Sequence, residues 1–183
     1  MFLSIISITT QTSKLSNLFH LFLLLSMFKI CQLKQMKQTI GFIGIGFMGL
    51  PMAKNILKSG YKLKAYNRTP NKTESLKEFG AEICKTIKEV VSDTEIIITI
   101  LTDDVAIDTV MNNKEFTDNI KSGATVIDMS SVKPETAIKY GTKFNSNNIN
   151  YLDAPVSGGI AGAEEATLAI MVGGEQKVFD ECY

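Results

Sequence analysis

A doubly wound α/β fold with a mostly parallel sheet follows from three observations in the 183-residue sequence. From Gln38 onward, apolar runs of strand length alternate with segments of helical period. Several of these runs are almost uninterrupted by polar residues, as strands are when helices cover both faces of their sheet. Glycine, proline and serine mark the junctions, and a regular succession of strand and helix is the pattern of parallel crossovers.

Each element has its own justification. Residues 39–43 (TIGFI) read as a short apolar strand. Residues 47–58 place apolar side chains at helical spacing and run into Ser59-Gly60, a good helix stop. A second strand spans 61–66, and 71–79 reads as a helix closed by Gly80. Residues 95–101 (EIIITIL) are a buried strand, 104–111 a helix and 124–128 another buried strand. Residues 133–144 are helical, with Pro134 suited to a first turn. Asn145–Asn150 is a polar turn, 149–154 and 167–172 read as two more strands, and a helix is expected from Glu175.

Composition narrows the function classes. The chain is 45% hydrophobic and 21% charged with 4 Pro, which fits a globular domain with at most an appendage. Net charge is zero, so no basic field points to nucleic acid. The charge is nevertheless uneven: residues 1–73 hold ten Lys/Arg and no acid, and the remainder holds all 19 acids against nine Lys. Cys31, Cys84 and Cys182 lie far apart with no CxxC, which argues against a disulfide framework or a cysteine zinc site and for a reducing, cytoplasmic compartment. His20 is the only histidine. The rest of the chain therefore cannot use a histidine base, nucleophile partner or metal ligand.

Residues 1–35 read as an N-terminal extension unlike the remainder, rich in Ser, Thr, Leu, Ile and Phe. Their apolar stretch at 18–28 is short for a membrane span. Three readings stand open: sequence upstream of a true start at Met36, an organelle-targeting segment giving a mitochondrial location, or a membrane or secretory segment.

After the first strand, Gly44-Ile45-Gly46-Phe47-Met48-Gly49 forms G-x-G-x-x-G. Gly44 permits the tight turn, Gly46 lets the backbone touch a pyrophosphate, and Gly49 lets the helix pack on the sheet. The pyrophosphate then rests on the helix N-terminus. With a strand before it, a helix after it and a second strand beyond, the motif points to a Rossmann-like nucleotide site rather than a structural glycine turn. At the end of that second strand stands Asn67-Arg68-Thr69, with no acid to bond a ribose 2′-OH. Arg68 is the only arginine. It can be a solvated loop charge, but at this position its fork suits a 2′-phosphate, with Asn67 and Thr69 adding hydrogen bonds, which favours NADP(H) while leaving NAD(H) possible. Further on, Ser157-Gly158-Gly159 follows a strand and reads either as an anion-binding loop or as a glycine-rich surface turn.

Three stretches together, Gly41–Asn55 (GFIGIGFMGLPMAKN), Asp128–Ser131 (DMSS) and Asp153–Gly174 (DAPVSGGIAGAEEATLAIMVGG), resemble the β-hydroxyacid dehydrogenase family. This family includes 3-hydroxyisobutyrate dehydrogenase, tartronate semialdehyde reductase and glyoxylate/succinic semialdehyde reductases, with 6-phosphogluconate dehydrogenase more distant. The resemblance covers residues 37–183 and implies the NADP-binding N-terminal domain alone, without the family's all-helical C-terminal domain. It implies that Gly44, Ile45, Gly46, Phe47, Met48 and Gly49 hold the pyrophosphate and that Asn67, Arg68 and Thr69 mark an NADP type. Leu101 and Thr102 would lie beside the dinucleotide, Ser131 near nicotinamide and substrate, and Ser157, Gly158 and Gly159 on the substrate carboxylate. The implied reaction is hydride transfer between nicotinamide and a small hydroxyacid or semialdehyde, in proteins that form homo-oligomers when full length. The family's general acid/base lysine, in Lys-x-x-Asn-Asn, would fall beyond Tyr183. The chain alone is thus expected to be a truncated fragment or module that binds cofactor with almost no turnover, with no catalytic residue and no metal. Ala166 departs from the glycine common before Thr-Leu in the family, a small change.

Overall fold

The apolar runs pair side by side, so that their carboxyl ends share one edge. The computed structural model describes residues 38–182, and the readings of residues 1–35 lie outside them. Strands β1 (Thr39–Ile43), β2 (Lys62–Tyr66), β3 (Glu82–Ile83), β4 (Ile96–Thr99), β5 (Thr125–Asp128) and β6 (Asn150–Asp153) form one parallel sheet in the order β3-β2-β1-β4-β5-β6. Helices follow the strands: α1 (Gly49–Lys58), α2 (Ile87–Val91), α3 (Asp104–Met111), α4 (Lys114–Thr117) and α5 (Pro134–Asn145). The order reverses between β1 and β4, and ligands of such sheets bind in the crevice at that switch point.

Strand periodicity sorts the side chains onto two faces. Ile43, Ile97 and Val126 point to one side and pack with Ile107, Phe116, Tyr140 and Phe144. Phe42, Ile98 and Ala65 point to the other and pack with Met52 and Ala53 of α1. Phe144 joins the first layer to β6, its ring 5.8 Å from Phe116 and 5.9 Å from Tyr151. Gly41 is a close-packing glycine: a Cβ there would lie 2.9 Å from Val90 Cγ1.

Some elements differ from their sequence expectations. The helix expected from Phe47 begins at Gly49, after the turn. Residues 71–79, expected as an α-helix, form two 3-10 turns, Pro70–Lys72 and Glu74–Phe79. Thr73 separates them; it is buried and donates its hydroxyl to Pro70 O at 2.6 Å, a local bond that competes with helix continuation. The strand expected at 167–172 contracts to β8 (Ala169–Ile170) and leaves the main sheet. It pairs antiparallel with β7 (Val156–Ser157), around the short helix α6 (Gly159–Glu165). Its apolar sequence reads as buried, yet Ile170 is 50% exposed. The chain closes through α7 (Gln176–Cys182).

Candidate functional site

In-register pairing sets Tyr66, Ile43, Thr99, Asp128 and Asp153 in a row along the carboxyl edge. The glycine turn rises from the middle of this row. The Gly44 N–H donates to Tyr66 O (3.1 Å), and Gly44 has φ 111°, a conformation that side chains rarely adopt. A Cβ on Gly44 would overlap Ile100 O, and a Cβ on Gly49 would overlap Gly44 O. Gly46 differs, because a Cβ there would meet none of the described residues within 4 Å. Packing therefore demands glycine at 44 and 49, whereas the space over Gly46 is open.

That open space faces the start of α1. Met48 caps α1 without a side-chain bond, and the first turn carries no acid. The N–H groups of Gly46, Phe47 and Met48 donate to no carbonyl of the described residues. Free N–H groups at the positive end of a helix dipole attract anions. Helix α3, which starts at the same edge, offers no such place: Asp103 accepts from the Ala106 N–H (2.8 Å) and Asp104 sits in its first turn.

Behind the turn, the Ile45 N–H donates to Asn67 Oδ1 (3.0 Å), and Asn67 Nδ2 donates to Thr69 O (3.0 Å). The Ile45 side chain is only 1% exposed. Asn67 therefore braces the glycine turn from the end of β2, with Ile45 as the braced residue, while Phe47, 84% exposed, stands on the outer side. Arg68 and Thr69 are exposed next to this brace, and Arg68 has no ion pair among the described residues.

On the other side of the turn lie the ends of β4 and β5. The Ile100 N–H donates to Ile43 O (3.0 Å), which sets Leu101 against Gly44. Thr102 is exposed, its hydroxyl donating to Asp103 Oδ2 (3.0 Å). Ser131 is exposed on the next loop. Sequence reading gave no role to the residues between them. Asp128 is 0% exposed; its Oδ1 accepts from the Thr99 hydroxyl (2.9 Å) and the Ser130 N–H (3.1 Å), and its Oδ2 from the Tyr151 hydroxyl (3.3 Å). Ser130, also buried, accepts the Leu101 N–H on its Oγ at 2.8 Å. The signal was an acid and a hydroxyl at a strand end inside DMSS, without a spacing that tells a buried serine from an exposed one.

Burial raises the Asp128 carboxyl above the ordinary carboxylate range, against the lowering effect of its three donors, and burial and the Asp128 charge raise Asp153 as well. The folded state then holds the Asp128 proton more tightly than the unfolded chain, so this group's contribution to stability falls as pH rises above about 4 and through its folded value. Urea unfolding of wild type and Asp128→Asn across that range is expected to show wild type losing ground to the variant as pH rises. A difference that stays flat contradicts this.

The Ser157–Gly159 loop joins β7 to α6, with Gly158 at φ 136° and Gly159 at φ 62°. Ser157, Gly158 and Gly159 are all exposed. Helix α6 packs on α1, and Asn55 of α1 donates to Ala163 O (2.7 Å), which fixes this loop relative to the glycine-turn helix. Asn55 ends the Gly41–Asn55 stretch, but helical spacing alone does not show that an amide crosses to a distant carbonyl. Among the described residues, no group of three or more His, Cys, Asp or Glu could hold a metal, and no helix is long and apolar enough to cross a membrane.

Known proteins share this fold. The chain is 40% identical over 143 residues to the 2-(hydroxymethyl)glutarate dehydrogenase of Eubacterium barkeri, covering 78% of this chain and 48% of that protein. The 3-hydroxyisobutyrate dehydrogenase of Mycobacterium tuberculosis, solved with L-serine, superposes with a TM-score of 0.76 at 28% identity, covering 80% of this chain and 50% of that one. An imine reductase from Myxococcus stipitatus in complex with NADP+ gives 0.72 at 28% identity, over 78% and 49%. The chain spans about half the length of the curated relatives it matches. A sequence model of the NAD binding domain of 6-phosphogluconate dehydrogenase matches residues 39–183. With the parallel sheet and the glycine turn at its switch point, this match makes the chain a member of that nicotinamide-dinucleotide-binding family.

Proposed function

We propose that residues 36–183 are the NADP(H)-binding domain of an oxidoreductase that exchanges a hydride between nicotinamide and a small β-hydroxyacid or semialdehyde. The observation that carries this reading is the acid-free start of α1, without a side-chain cap, beneath open space at Gly46, with Arg68 at the end of β2 in no ion pair among the described residues. The residues fit a dinucleotide. Gly46, Phe47 and Met48 offer N–H groups to the pyrophosphate, held in place by Gly44, Gly49, Ile45 and Asn67. Arg68 and Thr69 grip the 2′-phosphate, with NAD(H) as the weaker cofactor. Leu101 and Thr102 border the dinucleotide on its other side, and Ser131, Ser157, Gly158 and Gly159 receive the substrate and its carboxylate.

When bound, the cofactor supplies the hydride, and these residues orient it. The proton donor is proposed to be a lysine beyond Tyr183, as in the resembling enzymes. Lys133, at the N-cap of α5 with its backbone N–H donating to Asp104 Oδ1 (3.1 Å), is read as a helix-start surface residue. General acid/base help is worth a rate factor of about 10²–10⁴, and a cofactor-binding module without turnover is the second reading. The widely spaced cysteines favour a reducing compartment, proposed as cytoplasmic with a mitochondrial one as the alternative.

Calorimetric titration of the 183-residue chain with NADPH and with NADH tests this. Saturable binding, tighter for NADPH, is expected, with 3-hydroxyisobutyrate turnover at background. Binding of neither nucleotide overturns the proposal, and turnover by this chain alone removes the second reading.

A further inference from the structure

The Asp128–Ser130 pair ties together the two loops that flank the far half of a dinucleotide. Strand order fixes which half that is. The pyrophosphate turn follows β1, and Arg68 lies at the end of β2. A dinucleotide with its adenosine 2′-phosphate over β2 must extend its nicotinamide half the other way, across the ends of β4 and β5. There the β4 loop carries Leu101 and the β5 loop carries Ser131.

These loops do not rely on sheet bonds alone. The ladder between the strands ends with the Thr99–Asp128 register pair and the Met129 N–H on Thr99 O (2.8 Å). Beyond it, the Ser130 hydroxyl accepts the Leu101 N–H at 2.8 Å, a cross-loop bond. Asp128 holds Ser130 in place through the Ser130 N–H, and holds the β4 end through the Thr99 hydroxyl. All of Asp128, Ser130 and Thr99 are buried. A bond between buried groups transmits position well, because its loss leaves an unpaired N–H that the loop must move to satisfy.

We propose that Asp128 and Ser130 are positioning residues for the nicotinamide half of the cofactor: they set the separation of the Leu101 loop from the Ser131 loop. The inference rests on the cofactor reading above. It assigns no contact between Asp128 and the cofactor; the effect passes through Leu101 and Ser131.

The test separates the two halves of the ligand. Titrate the 183-residue chain with NADPH and with 2′,5′-ADP, which carries the adenosine half only. Ser130→Ala is expected to weaken NADPH binding by about three- to tenfold and to leave 2′,5′-ADP binding unchanged. Asp128→Asn keeps an oxygen for the Thr99 and Ser130 donors and is expected to retain NADPH binding near wild type, whereas Asp128→Ala reproduces the Ser130→Ala split. Should Asp128→Ala fail to fold, Ser130→Ala decides alone. Equal weakening of both ligands by Ser130→Ala reveals a merely structural role and overturns the inference, as does unchanged NADPH binding. Wild-type chain that binds neither ligand overturns the cofactor reading itself, a distinct result.

Discussion

Gly46→Ala is expected to weaken NADPH binding by about tenfold or more while leaving thermal unfolding unchanged or slightly higher; Gly49→Ala is expected to damage both. The two substitutions add the same methyl group to the same motif, four Å of open space against a main-chain oxygen being the difference. At Gly49 the new Cβ overlaps Gly44 O, and relief requires α1 to move off the sheet edge, an overpacking cost of about 1–3 kcal/mol. At Gly46 nothing among the described residues resists. Alanine there even restricts the unfolded chain, worth about 0.4–1 kcal/mol where the backbone conformation allows it. Only a ligand seated on the turn meets the methyl, and it then loses short charge-assisted bonds to the α1 N–H groups, each worth about 1.5–3 kcal/mol. Calorimetry for unfolding and titration for binding check both halves. An unfolding temperature that falls as far for Gly46→Ala as for Gly49→Ala would mean the turn is structural throughout, and the assignment of a pyrophosphate site would fall with it.

Gly46 also shows why part of this site was legible in the sequence. A phosphate turn needs glycines at fixed spacing between a strand and a helix, and all three requirements are local. The sheet was legible for a similar reason: runs such as Ile96–Thr99 are apolar on both faces because helices cover both. What stayed hidden depended on distant partners. Asn67 reads as a phosphate ligand, yet its amide is engaged by the Ile45 N–H, 22 residues earlier. Ser130 and Ser131 are adjacent and chemically alike, and the course of the loop after β5, which no local spacing reveals, buries Ser130 against Leu101 and leaves Ser131 exposed. Residues 169–172 carry strand propensity, but the positive φ values at Gly158, Gly159 and Ala166 turn the chain onto a small hairpin with apolar side chains outward. Short elements such as α2, α4 and β3 contain too few residues for a period to register.

Arg68→Asp is expected to reverse the choice of cofactor: NADPH binding falls by about 10- to 100-fold, and NADH binding changes little or improves. The argument rests on what surrounds the position. Arg68 is exposed, without an ion pair among the described residues, so its removal leaves no orphaned acid and little stability at stake. A 2′-phosphate loses a bidentate partner and gains a repelling charge, whereas a ribose 2′-OH gains an acceptor. Arg68→Lys tests the fork separately from the charge, and an intermediate loss is expected because an ammonium cannot match two phosphate oxygens in a plane. Added salt should erode the wild-type preference, since a pair at the surface is screened within about 10 Å at 0.1 M ionic strength. Asn67→Ala serves as the contrasting variant. It frees the Ile45 N–H and loosens the turn that both cofactors share, so NADPH and NADH should weaken together. If Arg68→Asp instead lowers both affinities equally, Arg68 acts on the common part of the dinucleotide, and the preference for NADP(H) has no basis at the end of β2.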